Sequence, residues 1–419
     1  MVLSLLILTV AISIAVPEAT LVAGALTLLS ALIGLLIVRG VQLIISLVLV
    51  GCGLAALIAG LLLGDRPDLA DFLTVNQDLI AMLAAVSFVR LITTSTETPA
   101  PRLSGAKAVW RTAAAVHLLG SVINISAINL IGERLGKDGR LSRLNELLLS
   151  RSFSAGAFWS PFWGATAAAI AYAPGAKSNV LILCGLCLAL VALTYSITAT
   201  VRRFGPSLGN YHGYVLTWRA LRIPLALAVV VLGLHTLIPE TPITRLVLVG
   251  SLGITVVTLF FIQPRTAGSR LFSHVRSALP RLSGELTLFA SAGVLAIGLG
   301  SFFNAVQLEL PVTQYTIPVA WATTLVMAML SLVGVHPVIS IAAVAAVIVP
   351  LHPDPTLYAM SGMIAWGASA AAGPISGLNI YLNGRFGTNN FAIARRNLPY
   401  FIVVLALAWP VLWLCDTLA

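Results

Sequence analysis

Long apolar runs recur along the whole of this chain, and a run of about 20 such residues suits one structure above all, a helix across a bilayer. The runs are 2–16, which is short, then 19–38, 41–63, 78–95, 179–201, 222–239, 243–263, 284–306 and 398–417. Of the 419 residues 59% are apolar and 9% are charged, against about 25% charged in a soluble domain. This excludes a soluble globular domain, a disordered chain and a nucleic-acid-binding domain. In a membrane protein the net charge of +10 reads first as basic cytoplasmic loops, not as an acidic partner. No basic residue precedes the first run, which therefore reads as a retained helix and not as a cleaved signal. Cys52, Cys184, Cys187 and Cys415 all sit in apolar runs, and the Cys184–Cys187 spacing reads as packing inside a helix.

Four further stretches, 105–135, 150–173, 316–350 and 357–383, are interrupted at their centres by Gly, Pro, Ser or Asn. The distribution of Lys and Arg selects a threading in which 105–135 and 316–350 enter and leave on one side while 150–173 and 357–383 cross as broken helices. Clusters such as Arg134, Lys137, Arg140, Arg143 and Arg151, or Arg265, Arg270, Arg276 and Arg281, then face the cytoplasm, as do Arg385, Arg395 and Arg396. Arg66, Lys177 and Arg245 fall outside. Reading 108–132 as one crossing would reverse the upstream part against the positive-inside rule. For 316–350 two full crossings have the same parity as a hairpin, but the short stretch between Pro337 and Pro350 favours the hairpin.

The expected fold is thus an all-α polytopic membrane protein, a single membrane domain with about eleven crossings and two re-entrant hairpins. The N-terminus is expected in the cytoplasm and the C-terminus outside, in a cell (inner, cytoplasmic) membrane. After the extra helix 2–16, each half has three helices, a hairpin, a broken helix and one more helix. The halves, 1–205 and 206–419, are inverted repeats. Non-helical backbone at membrane depth is tolerated only inside protein or along a water-filled cavity, and inverted repeats with discontinuous helices are the design of secondary transporters.

Candidate substrate- or ion-binding residues follow from the breaks. The first hairpin tip offers Ser121, Asn124 and Ser126, with Asn129 beyond them; the first broken helix offers Ser160 and Thr166 around Pro161 and Gly164. Tip two is Gly334-Val335-His336-Pro337, where His336 could bind substrate or carry a proton. The second break holds Ser369 and then Gly373-Pro374-Ile375-Ser376-Gly377-Leu378-Asn379, with Ser376 and Asn379 the leading candidates. Half-helix N-termini suit an anion, and unwound carbonyls suit a cation such as Na⁺. For each polar residue the alternative is a cap or an interhelical hydrogen bond. Trp159 and Trp163 either line the cavity or pack against the scaffold, with packing favoured, and His117 and His235 read as structural. No Asp or Glu is expected near the midplane of a crossing helix, and, with Arg151 read as a loop residue, no buried Arg pairs with an anion.

Together these elements resemble the ion transporter superfamily, which includes the divalent anion/sodium symporters and the membrane subunits of tripartite periplasmic transporters. The residues that carry the likeness are Ser121-Val122-Ile123-Asn124, Ser160-Pro161 and Gly373 to Asn379. The resemblance implies an elevator mechanism in a homodimer, with each hairpin and its broken helix moving against scaffold helices 41–63, 78–95, 243–263 and 284–306. It also makes the amphipathic segment 134–149 an arm on the cytoplasmic surface, where the alternative is a solvated basic loop. The expected activity is secondary transport of a small organic or inorganic anion, Na⁺-coupled or, alternatively, as a proton-coupled exporter or antiporter. No other cofactor or metal is expected. A channel or lipid-translocating protein is a second class; an intramembrane enzyme is a third, not favoured, that would need His336 beside a Ser of the first half.

Overall fold

The structure, a computed structural model, describes residues 1–93 and 103–419, apart from the side chain of Leu69. Arg102 and the last two residues of the run 78–95 lie outside the described residues. Among those described, the chain is helical throughout, with no strand beyond an isolated bridge between Lys137 and Arg140. In the first half the helices are α1 (Val2–Ile12), α2 (Ala19–Ile37), α3 (Val41–Leu62), α4 (Leu69–Thr74), α5 (Gln77–Val86), α6 (Gly105–Ile123), α7 (Ile125–Leu135), α8 (Arg143–Ser154), α9 (Gly164–Ala171) and α10 (Ser178–Phe204). The second half has α11 (Trp218–Leu237), α12 (Ile243–Ile262), α13 (Ala267–Ser277), α14 (Ser283–Ala305), α15 (Ile317–Leu332), α16 (Pro337–Ile348), α17 (Pro355–Ala372), α18 (Gly377–Phe386) and α19 (Asn390–Leu418).

Short polar residues set where several helices begin, by accepting a free N–H of the first turn. Ser142 accepts from Asn145 N, Asp354 from Leu357 N, Ser376 from Asn379 N and Asn389 from Ala392 N. Among the described residues eight helical stretches are long and apolar enough to cross a membrane. In the most apolar windows of α2, α3 and α11 only 22%, 22% and 17% of residues are buried. Helices that are apolar and also this exposed face lipid or another chain, so the protein is a multi-pass membrane protein.

The interior is built from the interrupted helices. Every residue of α17 from Thr356 to Ala372 is buried, and so is every residue of α8 from Leu144 to Ser154. Around them α3 runs beside α14, and α12 beside α5. The α3–α14 pair approaches closely through glycines: a methyl at Gly53 would stand 2.6 Å from the Val294 carbonyl oxygen.

Three expectations need correction. Segment 134–149 forms no separate surface arm, because Ser142 caps α8 and its residues from Leu144 onward are buried. Glu146 inside α8 is ion-paired with Arg396 of α19, which offsets its burial. Arg151 is not a loop residue; it is 6% exposed, on the buried face between α8 and α19. The run 78–95 begins after Asn76 in the left-handed region (φ 63°) and ends in a 3₁₀ turn, Ser87–Leu91. The connection after α12 contains a helix, α13, that the apolar runs did not signal.

Candidate functional site

Both interrupted pairs turn where the sequence punctuates them. Between α6 and α7 the single residue Asn124 leaves the helical region (φ 52°, ψ −139°). The two arms then fold back on each other, since the segment after α10 bonds the α6 arm directly and is linked to the open end of α7 through Asn145. Tyr214 N donates to Thr112 Oγ1 on α6, while Tyr211 OH donates to Asn145, whose amide donates to the last α7 carbonyl, Leu135. Between α15 and α16 the turn rests on Gly334 at φ 104°, a backbone that side chains rarely adopt. Pro337 then opens α16, and His336 Nδ1 accepts from Val338 N as its cap.

Each tip meets the break of its own half. Ser160 Oγ donates to the Ser121 carbonyl, and Trp163 Nε1 donates to the Gly120 carbonyl at 3.0 Å. Thr166 Oγ1 closes the loop by donating to the Ser160 carbonyl at 2.7 Å, and Ser121 Oγ donates to the His117 carbonyl. In the second half a methyl at Gly373 would stand 3.2 Å from the Ser331 carbonyl, and one at Gly334 would strike Ile375. Pro161 and Gly164, like Gly373, are buried at these meeting points, whereas Pro374 is partly exposed and Gly377 exposed.

The carbonyls freed at the end of α17 are largely taken up locally. Ser376 Oγ donates to Ala370 O, and Asn379 Nδ2 donates to Ala371 O (3.1 Å) and Gly373 O (2.9 Å). Asn379 is fully buried, and its Oδ1 has no hydrogen-bond partner among the described residues. Ser369 Oγ bonds carbonyls of its own helix, Ala365 and Trp366. Asn124 and Ser126 are partly exposed and make no side-chain hydrogen bond among the described residues, so the structure does not join them to the other candidates. Asn129 instead accepts from Tyr381 OH (3.0 Å) and Arg385 Nε (3.2 Å), tying α7 to α18.

Several residues that read from sequence as packing or structural make specific bonds at the first break. His117 Nδ1 lies 3.1 Å from the Ser152 carbonyl, and Trp159 Nε1 lies 3.2 Å from His117 Nε2. A carbonyl only accepts and an indole N–H only donates, so the ring carries its proton on Nδ1 and is neutral. Trp159 and Trp163 therefore bind the break to the first hairpin, contrary to the expectation that they merely pack. Their position flanking Pro161 was the available clue. Trp366 stands between the two halves: its ring packs edge-on against His336 (5.2 Å between centroids) and faces Gly164 of the first break. Arg151 Nε donates to Asn397 Oδ1 at 2.8 Å, and Asn397 Nδ2 donates to Ser150 Oγ and Ala371 O. This chain of bonds joins both broken helices to α19. No Ser of the first half is bonded to the His336 ring among the described residues.

The candidate half-sites are thus the first break with its hydroxyls and indoles, and the second tip and break with an imidazole and an amide with an unused oxygen; Trp366 contacts His336 of the second and faces Gly164 of the first. No protein-family model matches the chain, and no curated protein is significantly similar to it in sequence.

Proposed function

We propose that this protein is a secondary active transporter of a small anion, working by elevator-type alternating access with Na⁺ as the coupling ion. In this reading it has eleven crossings and two re-entrant hairpins, belongs to the ion transporter superfamily and acts as a homodimer. The observation that carries the reading is the pairing of each hairpin tip with the break of its own half, through Ser121–Ser160 and Gly334–Ile375. Two such units in the same chain order are what inverted repeats around a midplane site require.

The packing supports the inversion. In the repeat order α3 corresponds to α12 and α14 to α5; α3 lies along α14 just as α12 lies along α5. The ion pairs support the threading. Arg385–Glu133 and Arg396–Glu146 join residues assigned to the cytoplasmic face, whereas Arg245–Asp78 (2.9 Å) and the Lys177–Ala419 contact join residues assigned to the outer face. A substrate anion would meet hydroxyls and helix ends. The buried Oδ1 of Asn379 would serve a cation.

A second reading, proton-coupled export or antiport, is favoured by one observation: His117 and His336 are the ionisable side chains that the two half-sites present. Reconstitution in liposomes separates the two. Ligand-induced thermal stabilisation across a panel of small anions should require Na⁺ over choline and should vanish in Ser376→Ala and Asn379→Ala. Stabilisation that is the same in both salts, with anion flux across the liposome membrane driven by a pH gradient, would transfer the reading to proton coupling. No stabilisation by any anion in either salt would overturn the transport reading.

A further inference from the structure

Away from the breaks, the 3₁₀ turn Ser87–Leu91 and helix α13 enclose a cleft of about 380 Å³. Arg90, Arg270 and Arg281 line it together with Ser273, His274 and Ser277, and no acidic side chain does so among the described residues. None of the three guanidinium groups is ion-paired there among the described residues. The cleft is held in shape. Arg270 donates to the Leu91 carbonyl (2.7 Å) and to Gln263 Oε1 (2.6 Å), which leaves its other N–H groups free. His274, 5% exposed, bonds Ser87 Oγ through Nε2 at 2.9 Å and packs on the Phe88 ring.

We infer that this cleft binds a phosphate group. Three guanidinium groups around one opening, with no carboxylate beside them among the described residues, form a site for an anion, and forked donors match phosphate oxygens. The surroundings favour a phospholipid headgroup as the source. Helix α13 joins two apolar helices, displays the exposed ring of Phe272 and carries Arg276 over that ring. Across the same α13–α14 connection an apolar cavity of about 230 Å³ is lined by Val275, Leu279 and Leu286. Basic pockets at the ends of membrane helices bind anionic headgroups in this way.

The test uses the full-length protein in phosphatidylcholine nanodiscs, with and without phosphatidylglycerol, and in detergent with inorganic phosphate against chloride at equal ionic strength. Arg90→Gln/Arg281→Gln is compared with Arg219→Gln/Arg265→Gln, which removes the same charge from exposed positions outside the cleft. Arg90 and Arg281 are exposed, so the first variant should melt as the wild type does without phosphate. Expected is stabilisation of the wild type and the control by phosphatidylglycerol, with affinity lowered about tenfold or more in the cleft variant through loss of charge-assisted bonds. Stabilisation by inorganic phosphate as well assigns the site to the phosphate group itself; stabilisation by phosphatidylglycerol alone assigns it to the lipid. Equal loss in both variants, or no stabilisation of the wild type by either ligand, would overturn the inference.

Discussion

Replacing Gly185 with Ala tests whether the first break is held in place by direct backbone contact. Gly185 lies in α10, and a methyl there would overlap the Phe158 carbonyl oxygen, 2.6 Å from the Phe158 carbonyl carbon and 2.9 Å from Trp159 Cα. All three atoms are backbone, so no rotamer change relieves the clash. Reaching an ordinary 3.4 Å contact needs a shift of about 0.8 Å from the carbonyl carbon alone and about 1.6 Å from its oxygen, in the loop that carries Ser160. Overpacking of this kind costs about 1–3 kcal/mol. Gly253→Ala in α12 is the matched control, because nothing lies within 4 Å of its added methyl, and Gly to Ala inside a helix gains about 0.5–1 kcal/mol. Thermal melts of the purified variants should therefore diverge, with Gly185→Ala below the wild type and Gly253→Ala level with it or above. Ligand-induced stabilisation should weaken in Gly185→Ala alone. Gly185→Ala melting at or above Gly253→Ala would refute the contact.

Arg151→Gln should destabilise the protein by about 3 kcal/mol, because it removes charge-assisted bonds to Asn397 Oδ1 and the Arg396 carbonyl. Lysine should not restore the loss, since it lacks the planar fork; denaturant melts of both variants would check this. Trp159→Phe keeps a ring but loses the bond to His117, so a loss of about 1 kcal/mol with weaker ligand-induced stabilisation is expected. Unchanged ligand response would detach the first half-site from binding. In a background without the four native cysteines, thiol labelling should reach Asp138→Cys and Arg265→Cys from the cytoplasmic side and Arg66→Cys and Glu240→Cys from outside; the reverse pattern would invert the threading.

What the sequence determined by itself is local. Apolar runs of crossing length fold as helices because a backbone without water must bond to itself. Pro161 lacks a donor and interrupts its run, and Pro337 starts α16 where a missing N–H costs nothing. Asn124 and Gly334 sit at turns in positive-φ backbone, where a small polar residue or a glycine is tolerated. Where several helices start and stop was accordingly legible. Contacts across the chain were not. Arg151 is buried because Asn397, 246 residues away, accepts a hydrogen bond from its guanidinium, and with no such partner in view the charge alone placed it in a cytoplasmic segment. Glu146 depends in the same way on Arg396. Whether a serine at a break stays available or bonds the nearest freed carbonyl also depends on tertiary packing. Ser160 reaches the carbonyl of Ser121 only because the hairpin tip is brought against the break, and no spacing along one helix encodes that meeting.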